Sequence, residues 1–214
     1  MVELLSSRVQ MYRLLRDLFT YPVTEGLLNQ VLTLQPDPEA SSALQASLAL
    51  LQKVAGAQGR PHLVEVLNKE CSRLMSGPGL PPAPPFASYY RDQSHSLFTA
   101  ETQAVARVYQ EAGLVVADQG TPSDHITFEL EFMMAEALQL RTAANEGEKA
   151  RFHDHLNRQQ RFLSEHLLPF ASEFAARLRQ SEPHEFCDGA ADLLAEYLTL
   201  DSELLHELSI SASR

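Results

Sequence analysis

The 214-residue chain has no tryptophan, only two cysteines and no uninterrupted apolar run longer than four residues. The short runs exclude a membrane-spanning helix, which needs ~20 consecutive apolar residues. No basic segment near Met1 leads into the apolar stretch that a secretory signal requires, so the chain is expected to stay in the cytoplasm. Cys71 and Cys187 are far apart, with no Cys-x-x-Cys anywhere. Lone thiols within helical patterns read as small buried hydrophobes of a reducing compartment, not as a disulfide framework or an activated nucleophile. Cations are scarce as well: 17 Lys and Arg against 28 Asp and Glu leave a formal charge of −11. Such a surface repels nucleic acid and anionic lipid, and favours a cationic partner.

Several chemical signatures are also missing. There is no G-x-x-x-x-G-K-[ST], no G-x-G-x-x-G between strand and helix, and no H-E-x-x-H. Glu203-Leu204-Leu205-His206 is the one Glu-x-x-His motif, whereas a di-metal helical bundle needs two such motifs plus two further glutamates. No metal and no cofactor is therefore expected.

What is present is helical periodicity. Val2 to Thr20 places Leu4, Leu5, Val9, Tyr12, Leu15 and Leu18 on one face, with Arg8, Arg13 and Arg16 between them. A short helix follows from about Thr24 to Leu34. Asp37-Pro38-Glu39 reads as the cap and first turn of a third helix, running to about Gly56. A fourth spans about His62 to Met75, and Thr99 caps another that ends at Gly113. Further helices are expected over Glu148 to Leu168, from Pro169 onward, and after Pro183, the last fraying beyond Asp201. His153 and His155 point to opposite sides of their helix and read as solvated. Alternating strand patterns and internal repeats are absent. The expectation is an all-α fold: one globular domain over residues 1–214 of about 8–10 helices, with a hinge near residues 180–183. Helices could exchange across that hinge, giving a monomer or a domain-swapped homodimer.

One stretch breaks the pattern. Residues 76–90 hold five of the chain's 12 prolines and end in Phe86, Tyr89 and Tyr90. Prolines lack the N–H and fix φ, so helix and central strand are disfavoured here. The aromatics predict a long loop pinned to the body, of the kind that often carries function.

The second informative segment is Thr121-Pro122-Ser123-Asp124-His125, followed by the most apolar helix of the chain. Thr121 reads as its cap and Pro122 as its first residue. Asp124-His125 admits two readings. Structurally, Asp124 favours the positive helix end and His125 merely follows it. Functionally, His125 and Glu129 share a face near a helix end, where a histidine's titration is tuned by its surroundings.

Taken together, Leu74-Met75-Ser76-Gly77-Pro78-Gly79, Pro84-Pro85-Phe86-Ala87-Ser88-Tyr89-Tyr90 and Thr121-Pro122-Ser123-Asp124-His125 resemble the two signatures of the TorD/DmsD/NarJ family of redox-enzyme maturation chaperones. Their order, their spacing of about 35 residues and the helical pattern agree with it. The resemblance implies an all-α cytoplasmic chaperone, not an enzyme. It would bind the twin-arginine signal peptide, or another part, of a molybdenum-cofactor oxidoreductase subunit and hold it back until the cofactor is inserted. The matching positions are Phe86, Ser88, Asp124 and His125. Ala87 and Tyr89 depart from the family's usual Glu and Val, which bears on the client's identity. A cationic-then-apolar leader would suit an acidic surface and a groove lined by Phe86, Tyr89, Tyr90, Phe128 and Met133; Glu129 completes the expected partner-binding set. The alternatives are a chaperone for a leaderless cytoplasmic metalloenzyme and a helical regulatory protein with a small ligand beneath the aromatic loop.

Overall fold

The computed structural model describes residues 1–35, 40–77, 79–91, 95–116, 118 and 120–212. Ten α-helical segments occur among them: α1 (Val2–Leu18), α2 (Glu25–Thr33), α3 (Ser42–Ala55), α4 (Arg60–Cys71), α5 (Ala87–Arg91), α6 (Ala100–Glu111), α7 (Ile126–Glu146), α8 (Lys149–Phe162), α9 (Leu168–Gln180) and α10 (Glu185–Ala212). Among the described residues there is no strand, only one isolated bridge between Phe86 and His125. The all-α expectation holds.

Helix α7 is the central element. It packs along α1 on one side and α8 on the other, while α10 packs against α3, α8 and α9. α1 turns Leu5, Val9, Tyr12 and Leu15 inward at helical spacing. α7 buries Leu130, Phe132, Met133, Ala137 and Leu140. The resulting core is continuous, with Phe162, Phe170, Phe174 and Phe186 among its largest buried side chains.

Helix starts follow capping chemistry. Thr24 and Ser41 accept the Leu27 and Leu44 amides, each at 3.2 Å, and Thr99 accepts from Glu101 at 3.2 Å. The third helix thus begins at Ser42; the start expected at Asp37-Pro38-Glu39 lies outside the described residues. Two wide π turns, Ser72–Ser76 and Leu163–Leu167, interrupt the helical runs. The second precedes Pro169, which cannot donate to the carbonyl four residues back and crowds it; the wider turn absorbs that conflict.

Two expectations are corrected here. The last helix does not fray beyond Asp201, because Asp201 is fully buried and tied to α1. Arg8 Nε donates to Asp201 Oδ1 at 2.6 Å and Arg8 Nη2 to Oδ2 at 2.9 Å, while Tyr12 Oη donates to Oδ2 at 2.6 Å. Nor is His155 solvated. Its Nδ1 lies 2.8 Å from Glu136 Oε2 on α7, with Arg158 donating to the other oxygen at 2.9 Å. An isolated buried carboxylate is costly, so Glu136 draws both groups from α8.

Candidate functional site

The proline-rich segment is built onto the start of α7. The Ala83 N–H donates to Leu74 O at 2.9 Å, anchoring the loop to the π turn it leaves. Gly79 sits at φ +95°, a region that side chains rarely enter. Pro84 and Pro85 are buried. The chain then runs antiparallel to the turn before α7: Ala87 N–H donates to Asp124 O at 3.0 Å, and Ile126 N–H to Pro85 O at 2.9 Å. This backbone pairing brings the two motif segments together, although 36 residues separate Ser88 from Asp124.

Asp124 and His125 divide the capping work in an unexpected way. Asp124 Oδ2 accepts the Ser88 N–H at 2.6 Å, so it satisfies a first-turn donor of α5 rather than of its own helix. α7 is capped by His125, whose Nδ1 accepts the Thr127 N–H at 3.2 Å and lies 2.7 Å from the Thr127 hydroxyl. Thr121 and Pro122 are therefore not the cap and first residue of α7, which begins at Ile126. They belong to a preceding turn held by Asp118, which accepts from the Gly120 N–H at 2.8 Å and the Thr121 hydroxyl at 2.7 Å. The proline-rich loop is also shorter than its composition suggests, since Ser88, Tyr89 and Tyr90 form one helical turn, α5.

The expected site residues fall into three places. Phe86, His125 and Phe128 lie together: the Phe86 ring meets His125 edge-on at 5.0 Å between centroids, and His125 is 5.7 Å from Phe128. Tyr89 and Tyr90 turn the other way, toward α9. Arg177 donates to the Tyr89 hydroxyl at 3.1 Å and sits 5.2 Å and 5.7 Å from the two ring centroids. Tyr90 packs on Phe170 at 5.4 Å. Ser88, Asp124 and Glu129 are fully buried between these groups, and Met133 is part of the core. The five aromatic and Met side chains expected to line one groove thus do not share a surface.

The buried part is electrostatically unusual. Asp124 Oδ1, both carboxyl oxygens of Glu129, Ser88 Oγ and Thr102 Oγ1 have no hydrogen-bond partner among the described residues. Burial pushes the Glu129 carboxyl well above the carboxylate range; Asp124 and Glu101 push the same way and Arg91 opposes them. Burial also lowers His125 to about 4 against the opposing pull of Asp124 and Asp118, so its ring is neutral at physiological pH. Tyr109, raised chiefly by burial, adds its hydroxyl to this region and donates to Ser123 O at 3.2 Å.

Two surface cavities flank the 118–125 turn, and both include Asp118 and Thr121. One, about 330 Å³, is lined by Phe19, Tyr21, Met75, Pro85, His125 and Phe128. The other, about 310 Å³, is lined by Phe98, Thr102, Tyr109, Leu114, Val115 and Ser123. Its rim is apolar and open to solvent, with Val115 84 % and Phe98 67 % exposed. Sequence reasoning had missed Asp118, Thr102 and this rim. The Asp-x-Gly-Thr order at 118–121 is a legible turn signal; nothing in the sequence singled out Thr102.

Comparison with known proteins places this architecture. The family model described as nitrate reductase delta subunit matches residues 37–176, and the chain belongs to that family, the TorD/NarJ group of redox-enzyme maturation proteins. The chaperone protein TorD of Shewanella loihica is 25% identical, covering 93% of this chain and 93% of the relative. The chaperone protein TorD of a Psychrobacter species is also 25% identical, over 95% and 94%. The crystal structure of a redox enzyme maturation protein from Archaeoglobus fulgidus shares the fold, with a TM-score of 0.51 at 20% identity, over 89% of this chain and 93% of that one.

Proposed function

We propose that this chain is a cytoplasmic maturation chaperone that binds the catalytic subunit of a molybdenum-cofactor oxidoreductase through its twin-arginine leader, holding it until the cofactor is inserted. The observation that carries this reading is the similarity, over more than nine-tenths of both chains, to proteins named chaperone protein TorD. The site supports it. A leader presents basic residues followed by an apolar stretch, and the 118–125 turn offers an apolar rim beside buried carboxyls on a chain of net charge −11. Apolar contacts would hold the leader and charge would orient it. Phe86, His125 and Phe128 form a second apolar face on the other side of the same turn, so a leader crossing the turn touches both.

Titration calorimetry with the leader peptide of the subunit encoded beside this chain tests the reading. Micromolar or tighter binding is expected, weakened by Phe86→Ala with the fold intact by circular dichroism. No binding to any such leader, combined with capture of a leaderless metalloenzyme subunit, overturns the leader role.

A further inference from the structure

Cys71 and Cys187 stand far apart in sequence, yet the fold brings their side chains together. Cys71 is the last residue of α4, and Cys187 lies in the first turn of α10. Polar clamps hold these helix ends to each other. Glu70 Oε1 accepts the His184 N–H at 2.9 Å, and Arg73 donates to Ser181 O at 3.2 Å. Arg73 also grips the Glu70 carboxylate through two bonds of 2.8 Å. Residues on both sides of Cys71 are thus tied to the linker between α9 and α10. Beside those clamps the two thiols share a hydrogen bond, Cys187 donating and Cys71 accepting. Both thiols are free and buried, 5 % and 7 % exposed. A disulfide forms without strain only between side chains that the backbone already holds face to face, and the clamps supply that constraint.

We propose that Cys71 and Cys187 form a reversible redox pair: a small hydroperoxide entering the cavity beside the 118–125 turn oxidises Cys71, and Cys187 resolves the product to a disulfide. In the first step the Cys71 thiolate attacks one peroxide oxygen. An S–O bond forms, the O–O bond breaks, and hydroxide leaves; sulfur is oxidised and peroxide oxygen reduced. In the second step the Cys187 sulfur attacks the Cys71 sulfenic acid. The S–S bond forms, the S–O bond breaks, and the departing hydroxide takes the Cys187 proton as water. Two thiols and one hydrogen peroxide give one disulfide and two waters. A small dithiol returns the pair to its reduced form by exchange. Disulfides of this kind in a reducing compartment are transient and respond to redox conditions.

The surroundings assign the two roles. Cys71 lines the 330 Å³ cavity together with Phe19, Met75 and Phe128, whereas Cys187 is not among the described residues that line it. An oxidant in that cavity therefore meets Cys71 first. The hydrogen bond from Cys187 holds the Cys71 thiol below its ordinary range, against burial and the Glu70 charge. The same bond and burial push Cys187 up, so it keeps its proton until the second step. Arg73 places a cation beside Cys187 and favours its ionised form. The cross-link fastens the linker before α10 to the root of the proline-rich loop: Cys71 leads directly into the Ser72–Ser76 π turn, whose Leu74 carbonyl holds the Ala83 N–H.

The test treats the folded, reduced full chain with hydrogen peroxide, alkylates the remaining thiols and maps tryptic peptides without reductant. Both thiols are expected to disappear together, with fragment 70–73 joined to fragment 180–214, and dithiothreitol to restore both. In Cys187→Ser the reaction should stop at a sulfenic acid on Cys71, trapped by dimedone. In Cys71→Ser, oxidation at Cys187 should be slower by about tenfold or more, since the thiolate is the reacting species. Closing the long loop between the two helices should raise the urea midpoint of the oxidised wild type above that of the reduced form, a rise absent from Cys71→Ser. Thiols that persist in peroxide, a cross-link that forms only in denaturant or only between chains, or equal labelling of Cys187 in Cys71→Ser overturns the proposal. Should either serine variant fail to fold, the wild-type peptide map decides alone. Leader affinity enters none of these readouts, so the proposed function stands or falls separately.

Discussion

Glu129 shows how one side chain can carry a signature visible in a bulk measurement. Its native pKa is raised by burial, so between the unfolded value near 4.5 and the native value the folded chain binds more protons than the unfolded one. Stability must therefore fall as pH rises through that window. His125 acts in the opposite direction. Its native pKa is lowered from 6.5 to about 4, so the unfolded chain takes up a proton first and stability is lost as pH falls from about 6.5 toward 4. Urea denaturation across pH separates the two. Glu129→Gln should remove a decline of up to about 1.4 kcal/mol per pH unit on the alkaline side. His125→Asn, which keeps a capping side chain, should remove an acid-side loss of up to about 3 kcal/mol. Equal pH profiles for wild type and Glu129→Gln would mean that the carboxyl is solvated or paired in solution.

At the scale of elements, the decisive object is the junction of the proline-rich loop with the first turn of α7. Asp124 holds it through the Ser88 amide, and two backbone bonds flank that contact. Asp124→Ala leaves a buried amide without an acceptor, which costs roughly 1–3 kcal/mol. Hydrogen exchange should show the loss locally: faster exchange at Ser88 and Ala87, with α7 and α8 amides unchanged. Uniform acceleration would instead make the junction part of the global unfolding unit. This junction also marks what sequence could and could not show. The apolar periodicity of α1 and the Thr99 cap were legible because propensity and packing agree there. The two motif segments were legible as a pair of signatures. Their geometry was not. Thr121-Pro122 has the composition of a helix start, yet the loop's backbone pairing takes the Asp124 carbonyl and the Ile126 N–H, and the helix begins only at Ile126. Likewise Tyr89 and Tyr90 followed the prolines into a predicted loop, but a single turn of α5 delivers them to Arg177 on α9, a contact set by residues nearly ninety positions away.

For the whole molecule, the matter is what keeps the chain ends from loosening the helix on which the site rests. α1 packs along α7, and α1 is itself held by the pairing of Arg8 with Asp201 of α10, both almost wholly buried. Tyr12, Tyr197 and Gln159 complete that cluster: Tyr197 Oη lies 3.4 Å from Asp201 Oδ1, and Arg8 donates to Gln159 Oε1 at 2.7 Å. Distant parts of the chain are thus joined by charge where the periodicity of α10 alone suggested fraying. Breaking one partner leaves the other charged and buried, so Arg8→Met or Asp201→Leu alone should each destabilise by about 3–5 kcal/mol. The double replacement removes both charges and should recover most of that loss, provided the apolar groups fill the space. Denaturant midpoints of the four proteins decide the matter. A double variant no better than the worse single one would show that the two tyrosine hydroxyls and the Gln159 amide, not the ion pair, set the stability of the join between α1 and α10.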